Sequence, residues 1–162
     1  YLGTEISARE RVDTMKLLGS HYHVDLYTGS DTSGLPVQNK GLVKTLTEMP
    51  FIFHYSKINL NITAKSIRSG LPLRIFDILG CGGFCLTNYQ PELSDYFTIG
   101  SDLECYTDEK DLLDKVSYYL SHENERAQIA HNGFETVKKY HNYPERLLQM
   151  LSLAYGIKED TL

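Results

Sequence analysis

The sequence predicts an α/β fold, a parallel sheet flanked by helices with a helical C-terminal tail. Short β-branched or apolar runs alternate with longer amphipathic ones, the rhythm of βαβ units joined by right-handed crossovers. From residue 108 onward the pattern is helical throughout, so the last third is expected to cover an edge of the sheet and return along the domain. A chain of 162 residues, 41% of them hydrophobic, forms one ordinary domain. At that size it buries about two-thirds of its unfolded surface.

Tyr1-Leu2-Gly3 reads as the end of a strand running into a loop. Residues 7–18 set Val12, Met15 and Leu18 among charges, which makes an amphipathic helix. Residues 23–27 read as a short strand. Residues 28–40, rich in Gly, Ser, Asp, Thr and Pro, read as a loop, and residues 41–46 as a further strand. Pro50 stands in the first turn of a helix over 49–56. Residues 57–62 alternate β-branched residues with Asn and read as a strand. Pro72 opens a helix over 73–79, and Gly82-Gly83 stops it. A buried strand over 84–86, a short helix over 91–97 and a last strand over 103–106 follow. Asp108 caps a helix running to Leu120, with Asp111 in an acidic first turn. Ser121 is expected to cap the next helix, over 122–140, and Pro144 to open a final one to Tyr155.

Composition removes several classes of function. The net charge is -5, whereas phosphate-backbone binding calls for a basic stripe, so no nucleic-acid partner is expected. No apolar run approaches the roughly 18 residues of a membrane span, and no basic amphipathic stretch marks an interfacial anchor. Cys81, Cys85 and Cys105 are odd in number and two sit in apolar settings. That is no disulfide framework, and it points to a reducing, cytoplasmic setting. Cys81 and Cys85 lack the second pair a structural zinc site requires, so burial as small hydrophobes is expected, with neither metal nor cofactor. The chain opens on Tyr1 with neither methionine nor signal peptide, so it is expected to be a single domain, 1–162, of a longer polypeptide.

Ligands of open parallel sheets bind beyond the carboxyl ends of the strands. Four loops meet that rule: Gly3-Thr4, residues 28–33, residues 61–72 and residues 87–91. The third is the most informative. It leaves a strand at Asn61, carries Lys65, Arg68 and Gly70, and enters a helix through Leu71 and Pro72. The first turns of that helix present Arg74 and Asp77. Free backbone N–H groups and the helix dipole favour an anion there, and Lys65, Arg68 and Arg74 supply charge for a diphosphate, Arg bidentately. Asp77 is placed to accept hydrogen bonds from ribose hydroxyls. The competing reading makes Lys65 and Arg68 solvated loop charges and pairs Asp77 with Arg74 at i, i+3.

The run from Gly70 to Thr87, GLPLRIFDILGCGGFCLT, resembles the donor-site segment of GT-B glycosyltransferases. Pro91-Glu92-Leu93, Gly100-Ser101-Asp102-Leu103 and the tail through Asn132-Gly133 to His141 match the same superfamily's following elements. With Ile58-Asn59-Leu60-Asn61-Ile62, Thr87-Asn88-Tyr89-Gln90 and Tyr118-Tyr119-Leu120-Ser121-His122, the chain resembles the spore-maturation-protein (CgeB-like) branch. The resemblance covers nearly the whole chain. It implies a Rossmann-like C-terminal half of a GT-B fold that binds a nucleotide-diphosphate sugar, with an N-terminal acceptor domain of the same chain as partner. It implies that Asp77 contacts the ribose, that Gly3 and Thr4 approach the donor through their backbone, and that Asn88, Tyr89 and Gln90 face its sugar or phosphates. For Asn88 the competing reading is a plain helix cap. Retaining members carry a second acidic residue eight positions before the one at Asp77, where this chain has Ser69. That difference keeps open a catalytically inactive nucleotide-binding or spore-surface module, and the shared architecture keeps open a nucleotide-sugar 2-epimerase.

The remaining motifs read as structure. Five of the six histidines belong to surface or packing positions; His54 lies nearer the expected cleft, with packing the competing role. Tyr118, Tyr119, Tyr140 and Tyr143 are expected to clamp the C-terminal helices.

Overall fold

A computed structural model describes residues 2–64, 67 and 69–156. Its elements run α1 (Leu2–His21), β1 (Asp25–Leu26), β2 (Gln38–Asn39), α2 (Met49–Tyr55), β3 (Asn59–Asn61), α3 (Leu73–Gly80), β4 (Cys85–Asn88), α4 (Leu93–Tyr96), β5 (Glu104–Tyr106), α5 (Glu109–Ser121), α6 (Glu123–Tyr140) and α7 (Tyr143–Tyr155). This is the Rossmann-like α/β architecture the sequence predicts. The strands form two parallel sheets rather than one: β1 with β2, and β3-β4-β5 in that order. Leu60 pairs with Leu86, and Leu86 with Glu104.

The three-stranded sheet carries an apolar layer on each face, because successive side chains of a strand point to opposite sides. Phe84, Leu86 and Tyr106 pack with Leu18 of α1, Leu112, Val116 and Tyr119 of α5, and Ile129 of α6. Cys85 and Cys105 point the other way, onto Phe53 of α2, Ile75, Ile78 and Leu79 of α3, and Leu93. Glu104 enters the first layer as a carboxylate. It accepts hydrogen bonds from Tyr119 Oη at 3.0 Å, Lys115 Nζ at 3.1 Å and the Cys105 N–H at 2.8 Å. Burial in that layer, with the Glu104 charge beside it, pushes the Tyr119 hydroxyl's pKa well up.

Several sequence expectations are corrected. The segment expected as a strand stub at Tyr1-Leu2-Gly3 is helical from Leu2, so Gly3 and Thr4 stand in the first turn of α1 and not in a loop after a strand. Two extended residues without a neighbouring strand leave their backbone groups unpaired, whereas a helix satisfies its own. Residues 41–46 form no strand. Gly41 has φ +76°, which breaks an extended run, and residues 45–48 turn. A two-residue strand forms instead inside the segment read as a loop, where Gln38 N–H reaches Val24 O and Lys40 N–H reaches Leu26 O. Ser121 does not cap α6. Its hydroxyl bonds back to the Ser117 and Tyr118 carbonyls, and His122 takes the cap position, its ring bonded to the Tyr118 carbonyl of α5 and not to an α6 N–H. Asp108 and Asn142 do cap, accepting from the N–H of Asp111 and Glu145.

The C-terminal helices cover the molecule unequally. α5 packs on the edge strand β5 and α6 on α3, while α7 buries no residue. His141 ties the α6–α7 joint to α4. Its Nε2 lies 3.2 Å from Tyr96 O and its Nδ1 2.8 Å from Arg146 Nη2, with Phe76 and Phe97 rings against it. With Arg146 donating to Nδ1, the ring is neutral and donates from Nε2. Burial lowers its pKa from the ordinary value and the Arg146 charge adds to that, against the opposite pull of the Tyr96 carbonyl. A base whose pKa is lowered by folding leaves the unfolded chain binding more protons. Its contribution is complete above the unfolded value of about 6.5 and is lost as pH falls through the window below it. Urea unfolding at pH 7.5 and 5.5 is therefore expected to show an acid-sensitive loss in the wild type that shrinks in His141→Gln.

Candidate functional site

The site lies along α3. Pro72, with extended backbone at φ -65° and ψ 137°, is the helix N-cap. Pro suits this place because the N–H it lacks has no partner inside a helix anyway. The apolar residues Ile75, Ile78 and Leu79 recur at helical spacing and turn into the core, which leaves Arg74 and Asp77 on the exposed side. The two share an open cleft of about 180 Å³ with Thr45, Leu46, Met49, Pro50, Phe53 and Cys81. α2 forms its apolar wall, and Arg74 lies over the Phe53 ring, 5.5 Å from its centroid. The competing Arg74–Asp77 pair does not form: among the described residues neither side chain has an ion-pair partner. Asp77 thus faces solvent with its acceptor oxygens available.

The other expected residues divide. Lys65 and Arg68 lie outside the described residues. Gly70, at φ +85°, is in the left-handed region that glycine adopts without strain, and its N–H donates to the Glu92 carboxylate. Asn61 is buried, and its amide donates to Thr63 Oγ1 at 3.0 Å and Thr87 Oγ1 at 2.9 Å. Asn88 does not cap α4. Its Oδ1 accepts from the Thr63 N–H at 2.7 Å and its Nδ2 donates to Thr63 O at 3.1 Å. The two asparagines therefore splice the carboxyl ends of β3 and β4, prolonging the ladder by side chain. Tyr89 is half-exposed, and Gln90 buries its Oε1 without a hydrogen-bond partner. Leu71 packs against the α3 side of the core. α1 lies at this same end of the sheet, since Arg11 Nη2 is 3.5 Å from Ile62 O just past β3.

Sequence reasoning missed the wall. Thr45, Leu46, Met49, Pro50 and Phe53 line the cleft, yet only His54 of that segment was expected nearby. Met49 and Phe53 are one helical turn apart beside Pro50, a spacing that marks one face of α2. His54 binds the Cys81 carbonyl through Nδ1 at 2.9 Å and so braces α2 on the end of α3. Glu92 was also missed; nothing in local spacing ties it to Gly70, twenty-two residues away.

The chemistry available is binding and charge stabilisation. Burial raises the Cys81 thiol's pKa, and the Asp77 charge adds to it, which keeps the thiol protonated at neutral pH. The cysteines are free, and Cys85 is fully buried with its pKa pushed up to about 12. Among the described residues, no three His, Cys, Asp or Glu side chains cluster to hold a metal ion, and no helix is long and apolar enough to cross a membrane.

No curated protein matches the chain. The model of the glycosyl transferase-like family does match it, over residues 5–152, a stretch that takes in both walls of the cleft. The chain therefore belongs to the glycosyl transferase-like family, whose reaction is glycosyl transfer.

Proposed function

We propose that the cleft between α2 and α3 binds the nucleotide-diphosphate sugar donor of a glycosyl transfer. The observation that carries this reading is the unpaired state of Arg74 and Asp77 on the open side of α3. Asp77 accepts the ribose hydroxyls, the apolar wall of Met49, Pro50 and Phe53 covers the nucleoside, and Arg74 turns its guanidinium to the diphosphate. Gly70, Leu71 and Pro72 bring the α3 N-terminus to the same anion. Lys65 and Arg68 add charge from the loop, and Gly3 and Thr4 add backbone N–H groups. Asn61 and Asn88 act through the fold, by fixing where the strands end, and Tyr89 and Gln90 border the sugar. Catalysis is stabilisation of the departing diphosphate by these preorganised donors.

The finer placement follows the sequence: the resemblance supplies the spore-maturation-protein branch and a single donor domain working with an N-terminal acceptor domain of the same polypeptide, and the cysteine usage supplies a reducing cytoplasmic setting. Ser69, standing where retaining members have a carboxylate, favours a second reading in which the protein binds nucleotide without transferring sugar.

Isothermal titration with UDP-, GDP- and ADP-sugars tests the proposal. Binding of one of them is expected, and a folded protein that binds none sinks it. Arg74→Ala is expected to lose more affinity for the nucleoside diphosphate than for the nucleoside; equal losses contradict the role given to Arg74. Donor turnover by the intact protein separates transfer from the binding-only reading.

A further inference from the structure

We propose that Glu92 is a built-in competitor for the donor's diphosphate, occupying in the unliganded protein a backbone N–H that a phosphate oxygen takes on binding. This rests on the donor reading above and concerns its regulation. The N–H is that of Gly70, two residues before the α3 cap, in the loop that meets the anion. Its acceptor is a carboxylate brought in from the turn between β4 and α4. A carboxylate and a phosphate oxygen are the same kind of partner, anionic acceptors for a backbone donor. Glu92 has no ion-pair partner among the described residues.

A second observation concerns the same turn. Gln90, two residues before Glu92, buries its Oε1 with nothing donating to it. A buried acceptor without a donor costs free energy that a rearrangement recovers. The turn is thus closed onto the Gly70 N–H at one residue and unsatisfied at another. Expulsion of Glu92 by the diphosphate removes a negative charge from beside the incoming one and frees the turn to reorder. Affinity for diphosphates is then lower than the cleft alone dictates, while affinity for neutral nucleosides, which do not reach Gly70, is untouched.

Glu92→Gln tests this, because it keeps the shape and an acceptor oxygen and removes the charge. Titrations of wild type and variant use UDP, GDP and ADP beside the matching nucleosides. For the diphosphate that binds, the variant's Kd is expected to fall about tenfold, with the nucleoside Kd unchanged. An unchanged or higher diphosphate Kd in the variant overturns the proposal and leaves the donor reading standing. If the folded wild type binds no nucleotide, the donor reading fails and this proposal falls with it. A wild-type measurement covers the case of a misfolded variant. The Gly70 amide resonance and the Glu92 side-chain carboxyl signal are expected to shift together on adding the diphosphate but not the nucleoside, and a Gly70 amide that stays put refutes the exchange.

Discussion

Asp77→Ala is expected to weaken nucleotide binding by roughly 1–3 kcal/mol, the usual cost of a lost hydrogen bond to a charged group. At the upper end that is more than a hundredfold in Kd. Folding is expected to survive. Asp77 is exposed, has no ion-pair partner among the described residues, and sits one position before the buried pair Ile78 and Leu79 that holds α3 down. Alanine is a good helix former, so the helix loses nothing locally. Calorimetry with the bound nucleotide, beside thermal unfolding without it, separates the two roles. A variant that unfolds while keeping wild-type affinity in its folded fraction would assign Asp77 to structure. Asp77→Asn is expected to recover part of the affinity, because one acceptor oxygen remains.

The largest stability effect is expected at Gly133, in the middle of α6. A Cβ there would stand 2.2 Å from the Asp102 carbonyl oxygen and 2.8 Å from Leu79 Cδ2. Both neighbours are fixed, the first as backbone leading into β5 and the second as a side chain with 0% exposure. Two effects of Gly133→Ala oppose each other. Helix propensity favours alanine by about 1 kcal/mol. Forcing a methyl into a filled core costs about 3 kcal/mol where nothing yields. The clash wins, because relief requires α6 to lift from α3. A net loss of about 2 kcal/mol corresponds to a fall in Tm of roughly 4–8 °C in a protein of this size. A thermal melt of Gly133→Ala that matches or exceeds wild type would mean that α6 does not sit this close to β5.

Position decides why these two sites differ. Asp77 and Gly133 lie on opposite sides of α3. One side is turned to the cleft, and the other packs on α6 through Leu79. The helix has to be both a well-anchored element and the rim of an open site. Its apolar residues at 75, 78 and 79 serve the first need and its polar ones at 74 and 77 the second. The split is legible in the order of residues alone, because a helix converts sequence spacing into faces.

The sequence by itself determined the α/β class, the places of α2, α3, α5, α6 and α7, the strands β3, β4 and β5, and the presence of Arg74 and Asp77 on one face of α3. All of these follow from short-range rules: apolar period, Pro at helix starts, Asp108 three residues before Asp111. Only the tertiary structure decided the rest. It made a helix of the segment around Gly3-Thr4, split the strands into two sheets, set α2 as the wall of the cleft, locked Asn61 and Asn88 into the sheet, and laid Glu92 on Gly70. Each of those depends on partners far apart along the chain. A strand needs a neighbour, a cleft needs two walls, and a side chain's hydrogen bonds go to whatever the fold brings within about 3 Å. Local spacing carries no record of such meetings, so they emerge only once the chain has closed on itself.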